Sequence, residues 1–167
     1  MIDSQLQKRL EALVAKYNLR ITRVDNEKPW GGEFYFDEDQ VDEFAAVFFP
    51  GVKLPSESNR PKMSPKFLIV GPHQRLSWQY HHRRSEQWCV LEGPVGVITS
   101  STDEQGPLKT LQPGDQIEMG VGERHTLIGL DSWGVVPEIW KHADLENPSD
   151  TADIVRLEDN YGRKGTS

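Results

Sequence analysis

Side chains with metal-binding atoms lie on both sides of a short basic turn near the middle of the chain. In the stretch LSWQYHHRRSEQWCVLEG, residues 76–93, Gln79 and His81 alternate with bulky residues, which is the two-residue period of a strand. Glu86 begins a second strand after two arginines. Two antiparallel strands joined by such a turn can bring an amide oxygen, an imidazole and a carboxylate to one point. This set predicts a site for a divalent metal.

A second stretch supplies one more metal-binding group. The sequence PGDQIEMGVGERHTLIG, residues 113–129, reads as a strand, a glycine-rich turn and a strand, with His125 just after the turn. The imidazole of His125 is therefore the predicted fourth ligand, beside the amide, the imidazole and the carboxylate of the first stretch.

Composition restricts the class of protein. A chain of 167 residues is long enough to bury a core and predicts one domain. Its apolar content of 36%, with 14 glycines and 11 prolines, is typical of a turn-rich β protein rather than a helical bundle. The net charge of −7 argues against nucleic-acid binding, although a local basic pocket can still bind an anionic substrate.

The cysteine content and the hydropathy pattern predict a cytoplasmic protein with no membrane partner. The single cysteine, Cys89, excludes an intramolecular disulfide and is typical of a reducing compartment. Cys89 alternates with Trp88 and Val90, so we interpret it as a packed side chain and not as a nucleophile. No apolar run resembles a signal peptide or is long enough to span a membrane.

Apolar spacing predicts the elements that position these two stretches. Leucines and a valine recur at helical spacing in residues 3–17, and residues 19–24 read as a short strand. Residues 37–65 are irregular, and their apolar part is expected to cover one end of a barrel or to contact a second subunit, either as a lid or only as packing. Short strands from residue 66 onward, separated by turn residues, predict a sandwich or a small barrel.

Four motifs together give the chain a family resemblance. They are KPWG at 28–31, LSWQYHHRRSEQW at 76–88, RHTL at 124–127 and DIVRLEDNYGR at 153–163. In this order they resemble the cupin superfamily and, within it, type II phosphomannose isomerases. The resemblance is greatest to the C-terminal cupin domain of the bifunctional mannose-6-phosphate isomerase/mannose-1-phosphate guanylyltransferase enzymes and to related stand-alone cupins. Nothing in the sequence resembles the nucleotidyltransferase half of those enzymes.

The resemblance implies the fold class, and the helix at 3–17 and the insertion at 37–65 are additions to the family domain. We expect a mainly β, single-domain cupin barrel of the jelly-roll type, with an N-terminal helix and a short C-terminal helical segment. The N-terminal helix and strand would occupy residues 1–25, and the barrel residues 26–167, with residues 37–65 as an insertion. A sugar phosphate is the implied small-molecule partner, and the apolar insertion adds the expectation of a homodimer.

The resemblance also implies roles for individual residues. By position, the implied metal ligands are Gln79, His81, Glu86 and His125. Zinc is the expected metal, with cobalt, manganese, magnesium, nickel and iron as the alternatives. The implied catalytic residues are Lys66 and Arg156. The expected substrate-binding residues are Trp30, Arg75, Arg84, Tyr161 and Arg163, although local chemistry alone interprets KPWG as a turn anchored by its tryptophan.

Three functions are compatible with these residues. The first is metal-dependent aldose–ketose isomerisation of a sugar phosphate, through an enediolate: mannose 6-phosphate to fructose 6-phosphate, or another sugar phosphate such as a heptose phosphate. The second is an iron-dependent oxygenase, which Gln79 in the place of a histidine disfavours. The third is a non-catalytic cupin that holds a metal and binds a sugar.

The sequence leaves the proton-abstracting base of an isomerase open. A metal-bound water, His73, His82 and Lys66 are the candidates. The chain also departs from the family pattern next to the motifs, and these departures bear on the substrate more than on the fold. They are Gln87 for a histidine, Thr126 for an arginine and Trp140 for a glutamine.

Overall fold

The strands form two antiparallel sheets in the computed structural model, which describes residues 1–163. In chain order the strands are Ile21–Asp25 (β1), Gly31–Phe36 (β2), Lys66–Val70 (β3), Trp78–Tyr80 (β4), Arg84–Cys89 (β5), Val95–Ser100 (β6), Lys109–Leu111 (β7), Gln116–Met119 (β8), Arg124–Gly129 (β9), Gly134–His142 (β10) and Val155–Glu158 (β11). The first sheet has the order β1-β2-β3-β10-β5-β8, and the second has the order β11-β4-β9-β6-β7. The mainly β fold predicted from the sequence is confirmed.

Two α-helices lie before the strands that carry the metal-binding motifs. They are Ser4–Lys16 (α1) and Val41–Phe48 (α2), and short 3-10 turns occupy Glu38–Gln40 and Glu57–Asn59. The carboxylate of Asp3 caps the N-terminus of α1, because it accepts hydrogen bonds from the backbone N–H groups of Gln5 at 3.1 Å and Leu6 at 2.9 Å. The predicted helix in residues 3–17 is therefore present, with a buried apolar stripe at Leu6, Leu10 and Val14.

The outer face of the first sheet packs against both helices. Alternate residues of its central strands, including Phe34, Phe67 and Ile139, share one buried cluster with residues of α1 and α2. The ring of Phe44 in α2 lies 6.0 Å from the ring of Phe67 in β3. The apolar part of residues 37–65 thus covers a face of the sheet within the same chain, and the expected placement over a barrel end or against a second subunit is wrong. The apolar insertion no longer supports a homodimer, which stays a prediction.

The inner face of the first sheet packs against the second sheet. Leu68, Trp88 and Val136 of the first sheet share a second buried cluster with Val97 and Leu127 of the second. Because both faces of the first sheet are covered, all five residues of β3 are buried. The polar residues of this inner face therefore lie in a protected space between the sheets.

The strand pairing of residues 1–163 does not close the two sheets into the expected barrel. The short strands β7 and β8 follow each other in the chain, yet β7 ends the second sheet and β8 ends the first. The turn between them carries the chain from one sheet to the other without a ladder that joins the two. The architecture is therefore a sandwich of two facing sheets.

The sequence-based prediction of a helical segment near the C-terminus is wrong. Val155–Glu158 forms β11, which pairs antiparallel with β4 so that Val155 lies opposite Tyr80 and Arg156 opposite Gln79. The edge of β4 offers backbone hydrogen-bonding groups that a strand satisfies and a helix does not. The tail is thereby fixed beside a predicted metal ligand.

The N-terminal segment is continuous with the first sheet. The predicted strand at 19–24 corresponds to β1, which pairs with β2 at one edge of that sheet. The division of the chain at residue 25 stays a prediction, and the last four residues of the predicted 26–167 domain lie outside the described residues. No helix in the described part of the chain combines the length and the apolar character needed to cross a membrane.

We expect Phe44→Ala to lower the free energy of unfolding by about 3–5 kcal/mol, because the ring is fully buried between α2 and the sheet. Urea denaturation followed by circular dichroism measures this change. Leu145→Ala is the control, since Leu145 is 42% exposed and its truncation should alter stability by less than about 0.5 kcal/mol. A Phe44→Ala protein as stable as the control would show that residues 37–65 are not part of the core.

Candidate functional site

Strand register brings the predicted metal ligands of the two motifs together. Gln79 in β4 lies directly opposite His125 in β9, and Arg156 in β11 lies opposite Gln79 on its other side. Glu86 in β5 lies on the facing sheet, opposite Trp140 in β10. Side chains from both sheets therefore converge in the protected space between them.

Two histidines contact the two oxygens of one buried carboxylate. His81 Nε2 lies 3.0 Å from Glu86 Oε1, and His125 Nε2 lies 3.2 Å from Glu86 Oε2. One ligand atom from each of the three residues lies within 4.8 Å of the others, and all three side chains are buried. These separations suit ligands that share one ion, because metal–nitrogen and metal–oxygen bonds are about 2.0–2.2 Å long.

Backbone carbonyls orient both histidine rings. His81 Nδ1 lies 2.6 Å from the carbonyl oxygen of Asp153, and His125 Nδ1 lies 2.9 Å from that of Glu123. A carbonyl oxygen can only accept, so each Nδ1 donates and each neutral ring directs the lone pair of Nε2 at Glu86. Two lone pairs facing a carboxylate repel it unless positive charge, from a proton, a guanidinium or a metal, lies beside them. Such an outer hydrogen bond to a backbone carbonyl is common at histidine–metal sites.

The residues present fit a divalent metal. Among the described residues, the buried atoms Glu86 Oε2 and His125 Nε2 have no hydrogen-bond partner despite their 3.2 Å separation. Buried polar atoms without partners are rare, and an unrecorded ion is one of the standard explanations. The Gln79 side-chain oxygen accepts a hydrogen bond from the Ser77 hydroxyl at 2.6 Å, and its second lone pair remains for a ligand role.

Burial and neighbouring charges shift the pKa of each group in the cluster. Burial opposes ionisation of Glu86, but the charges of His81 and Arg84 and contacts with both histidines hold the pKa of its carboxyl well below the ordinary value. Burial lowers the pKa of His81 in spite of Glu86. Burial would also lower the pKa of His125, but Glu86 outweighs it and raises that pKa. The cluster thus keeps Glu86 ionised.

A cavity of about 160 Å³ between the sheets contains most of the predicted site residues. The predicted residues that line it are Trp30, Lys66, Gln79, Arg84, Glu86, Arg156 and Arg163. The predicted residues Arg75, His81, His125 and Tyr161 are not among its lining residues, and of the three clustered groups only Glu86 reaches the cavity. The guanidinium of Arg75 donates to Gln105 at 3.1 Å, and the hydroxyl of Tyr161 donates to Gln74 at 2.9 Å. His73 and His82, two candidate bases, do not line the cavity either.

The lining of this cavity is more basic than acidic, although the protein as a whole carries a net charge of −7. Its basic residues are Lys28, Lys66, Arg84, Arg156 and Arg163, and its acidic residues are Glu33, Glu86 and Glu138. At contact distance, such a local excess of positive charge outweighs distant surface charge. The lining therefore favours an anionic ligand.

Glu138 is a buried cavity residue to which the sequence analysis gave no role. Its carboxylate accepts hydrogen bonds from the indole N–H of Trp88 at 2.8 Å and of Trp140 at 3.0 Å, and Lys66 Nζ lies 3.2 Å from Oε1. Burial, followed by the charge of Glu86, raises the pKa of Glu138. A carboxylate within the apolar strand GVVPEIW was the available signal, because charges are seldom buried without a partner. Glu138 holds the predicted catalytic Lys66 in place.

The departures from the family pattern fall on different faces of their strands. Gln87 follows Glu86 and Thr126 follows His125, so both point to the opposite faces of their strands. The hydroxyl of Thr126 donates to the carbonyl of Leu76 rather than facing the cavity. Trp140, by contrast, lines the cavity. Among these three positions, Trp140 is therefore the one placed to alter the choice of substrate.

Comparison with known families and proteins adds an independent finding. Residues 36–159 match the family described as mannose-6-phosphate isomerase C-terminal. The chain is 31% identical over 121 residues to mannose-1-phosphate guanylyltransferase ManC of Salmonella typhimurium, covering 70% of this chain and 23% of that protein. It is 34% identical over 98 residues to the xanthan biosynthesis protein XanB of Xanthomonas campestris, covering 59% of this chain and 19% of that protein. The chain thus spans less than a quarter of the length of these relatives.

Similar solved structures support the fold. The capsular polysaccharide assembling protein CapF of Staphylococcus aureus has a TM-score of 0.54 and 16% identity, covering 84% of this chain and 34% of CapF. Drosophila melanogaster CENP-C, in a complex with CAL1, has a TM-score of 0.53 and 14% identity, covering 83% of this chain and 100% of that chain. At such low identity the likeness concerns the fold alone. The resemblance to cupins that the sequence motifs indicated is confirmed.

We expect the protein to bind one zinc ion per chain and His125→Ala to weaken that binding by about a hundredfold or more, since loss of an outer-shell partner alone costs up to that factor. Competition with a chromophoric chelator measures the affinity, and elemental analysis gives the stoichiometry. His73→Ala is the matched control, because the side chain of His73 is 74% exposed and lies outside the cluster. Equal zinc affinity in the two variants would place the ion elsewhere.

Proposed function

Because the chain belongs to the mannose-6-phosphate isomerase C-terminal family, we propose that it is a metal-dependent aldose–ketose isomerase of a sugar phosphate. Mannose 6-phosphate and fructose 6-phosphate are the proposed pair, and another sugar phosphate, such as a heptose phosphate, is the alternative. The convergence of His81 and His125 on Glu86, which itself lines a cavity with a basic lining, is the observation that carries this proposal. Zinc is the proposed metal because the site offers nitrogen and oxygen ligands.

The proposal covers the isomerase reaction and not guanylyl transfer. The relatives named as mannose-1-phosphate guanylyltransferases are much longer, and the chain covers 23% of ManC. The activity of those whole proteins therefore does not transfer to this chain. What the chain shares with them is the cupin domain that contains the candidate metal centre.

Isomerisation requires a proton to leave the carbon beside a carbonyl and to return to the neighbouring carbon. The intermediate is an enediolate, whose oxygens carry negative charge. A divalent cation at the cluster would polarise the substrate carbonyl and stabilise that charge. The remaining tasks, which are proton transfer, phosphate binding and exclusion of water, fall to side chains of the cavity.

Lys66 and Arg156 are the proposed catalytic residues. Lys66 Nζ is buried beside the carboxylate of Glu138 in the cavity lining, where it can hold or move a proton. Arg156 lies opposite Gln79, and burial together with the like charge of Arg163 lowers the pKa of its guanidinium. Two neighbouring guanidiniums favour an anion, and Asp159 already provides one for Arg163 at 2.6 Å. We assign Arg156, with Arg163 beside it, to the charged groups of the substrate.

One observation favours a second function, a non-catalytic cupin that binds a sugar phosphate. A catalytic site needs each polar group of its reaction, and one polar position of the family pattern carries an indole in the lining of this cavity. Trp140 fills part of the space at a position where the family has a glutamine. Such a protein would hold metal and ligand without moving a proton at C2, so exchange of that proton in deuterated water separates the two functions.

We expect the zinc-loaded protein to interconvert mannose 6-phosphate and fructose 6-phosphate, or another pair from a panel of aldose phosphates, and to lose this activity with a chelator. Arg156→Gln should lower kcat/KM by about a hundredfold or more, because it removes a charge that stabilises the transition state. A coupled assay measures the rate, and NMR follows the C2 proton.

Arg9→Gln is the matched control for Arg156→Gln. Arg9 pairs with Glu92 and its side chain is 60% exposed, so the loss of its charge should leave the rate unchanged. Absence of turnover across the panel with each of the candidate metals would contradict the isomerase proposal. Tight ligand binding without proton exchange would support the binding protein instead, and oxygen uptake with bound iron would support an oxygenase.

A further inference from the structure

The side chain of Arg84 uses most of its hydrogen bonds within the protein. Its Nη1 group donates to Ser149 Oγ at 2.9 Å and to the carbonyls of Asp150 at 3.1 Å and Asp153 at 3.2 Å. The guanidinium carbon lies 3.9 Å from the centre of the Trp140 ring, and the residue is buried. An arginine held on these sides has few donors left for a substrate, although the sequence resemblance implied such a role.

The remaining donors of Arg84 point at the candidate metal centre. Nε donates to Glu86 Oε1 at 2.9 Å, and Nη2 lies 3.3 Å from His81 Nε2. Because His81 donates through Nδ1 to Asp153, its Nε2 accepts from Arg84. The guanidinium therefore contacts the ligand atoms that His81 and Glu86 would offer to a metal.

The contacts of Arg84 are confined to one half of the cluster. Among the described residues, Glu86 Oε2 and His125 Nε2 receive no hydrogen bond from Arg84 or from any other donor. A cation entering the site thus finds these two atoms available and the other two engaged by a guanidinium. Full coordination requires Nη2 of Arg84 to move away from His81.

We propose that Arg84 is a resident cation that competes with the divalent metal for His81 and Glu86 and thereby weakens metal binding. The inference rests on the metal centre of the proposed function. A guanidinium and a dication that share one buried carboxylate repel each other strongly, because water does not screen them. The same surplus of positive charge strengthens the attraction of the loaded site for an anion.

Arg84→Gln tests the competition, because it removes the charge and keeps a polar side chain. We expect its zinc dissociation constant to fall at least tenfold relative to wild type, measured by chelator competition at fixed pH and salt, with cobalt spectra as a second readout. Arg9→Gln is the control, since its exposed guanidinium pairs with Glu92 outside the cluster. Its zinc affinity should equal that of wild type.

A second variant keeps the test decisive if Arg84→Gln does not fold. Ser149→Ala retains Arg84 but removes one of its anchors, together with the hydrogen bond from Ser149 Oγ to Asp153 Oδ2 at 2.6 Å. Displacement of the guanidinium becomes easier, and zinc should bind two- to threefold more tightly. Unchanged or weaker zinc binding in folded Arg84→Gln, or in Ser149→Ala when the first variant is unfolded, would overturn this inference while leaving the metal centre intact. Absence of zinc binding in wild type and every variant would overturn both proposals.

Discussion

The site depends on one buried carboxylate that two imidazoles face through their Nε2 atoms. Backbone carbonyls accept hydrogen bonds from Nδ1–H of His81 and His125, so neither ring can rotate its lone pair away from Glu86 without losing a hydrogen bond. Three groups that would repel one another in this arrangement require a positive charge between them. The fold therefore favours binding of a cation at this cluster, and the sugar-phosphate isomerisation that we propose relies on a cation bound there.

The scaffold supports this arrangement because the first sheet is covered on both of its faces. The two helices bury the outer face, so strands β3, β5 and β10 can direct Lys66, Glu86 and Glu138 inward without exposing them to water. Each of these charges has an opposite charge nearby: Lys66 pairs with Glu138, and Arg84 pairs with Glu86. Buried charges are tolerated when they are paired in this way.

The sequence was sufficient to group His81, Glu86 and His125 as candidate metal ligands, because strand periodicity fixes the face on which each lies. The two predicted hairpins are wrong, since β4 and β9 lie in the second sheet and β5 and β8 in the first, so the ligands meet across the two sheets. It was not sufficient for contacts that depend on long-range pairing, such as the meeting of Glu138 with Trp88 across β10 and β5. Family position alone placed Arg75 and Tyr161 in the site, but position along a chain does not specify which face a side chain takes. The predictions for the tail and for the apolar insertion were wrong. The tail pairs with the edge of β4 and the insertion packs on the outer face of the first sheet, and both surfaces exist only in the complete fold.

Anomalous diffraction at the zinc absorption edge, from crystals grown with the metal, tests the central claim most directly. The account predicts one strong peak per chain, at about 2.0–2.2 Å from Nε2 of His81, Nε2 of His125 and an oxygen of Glu86. A peak bound elsewhere, or no peak at the cluster when zinc is in excess, would contradict it.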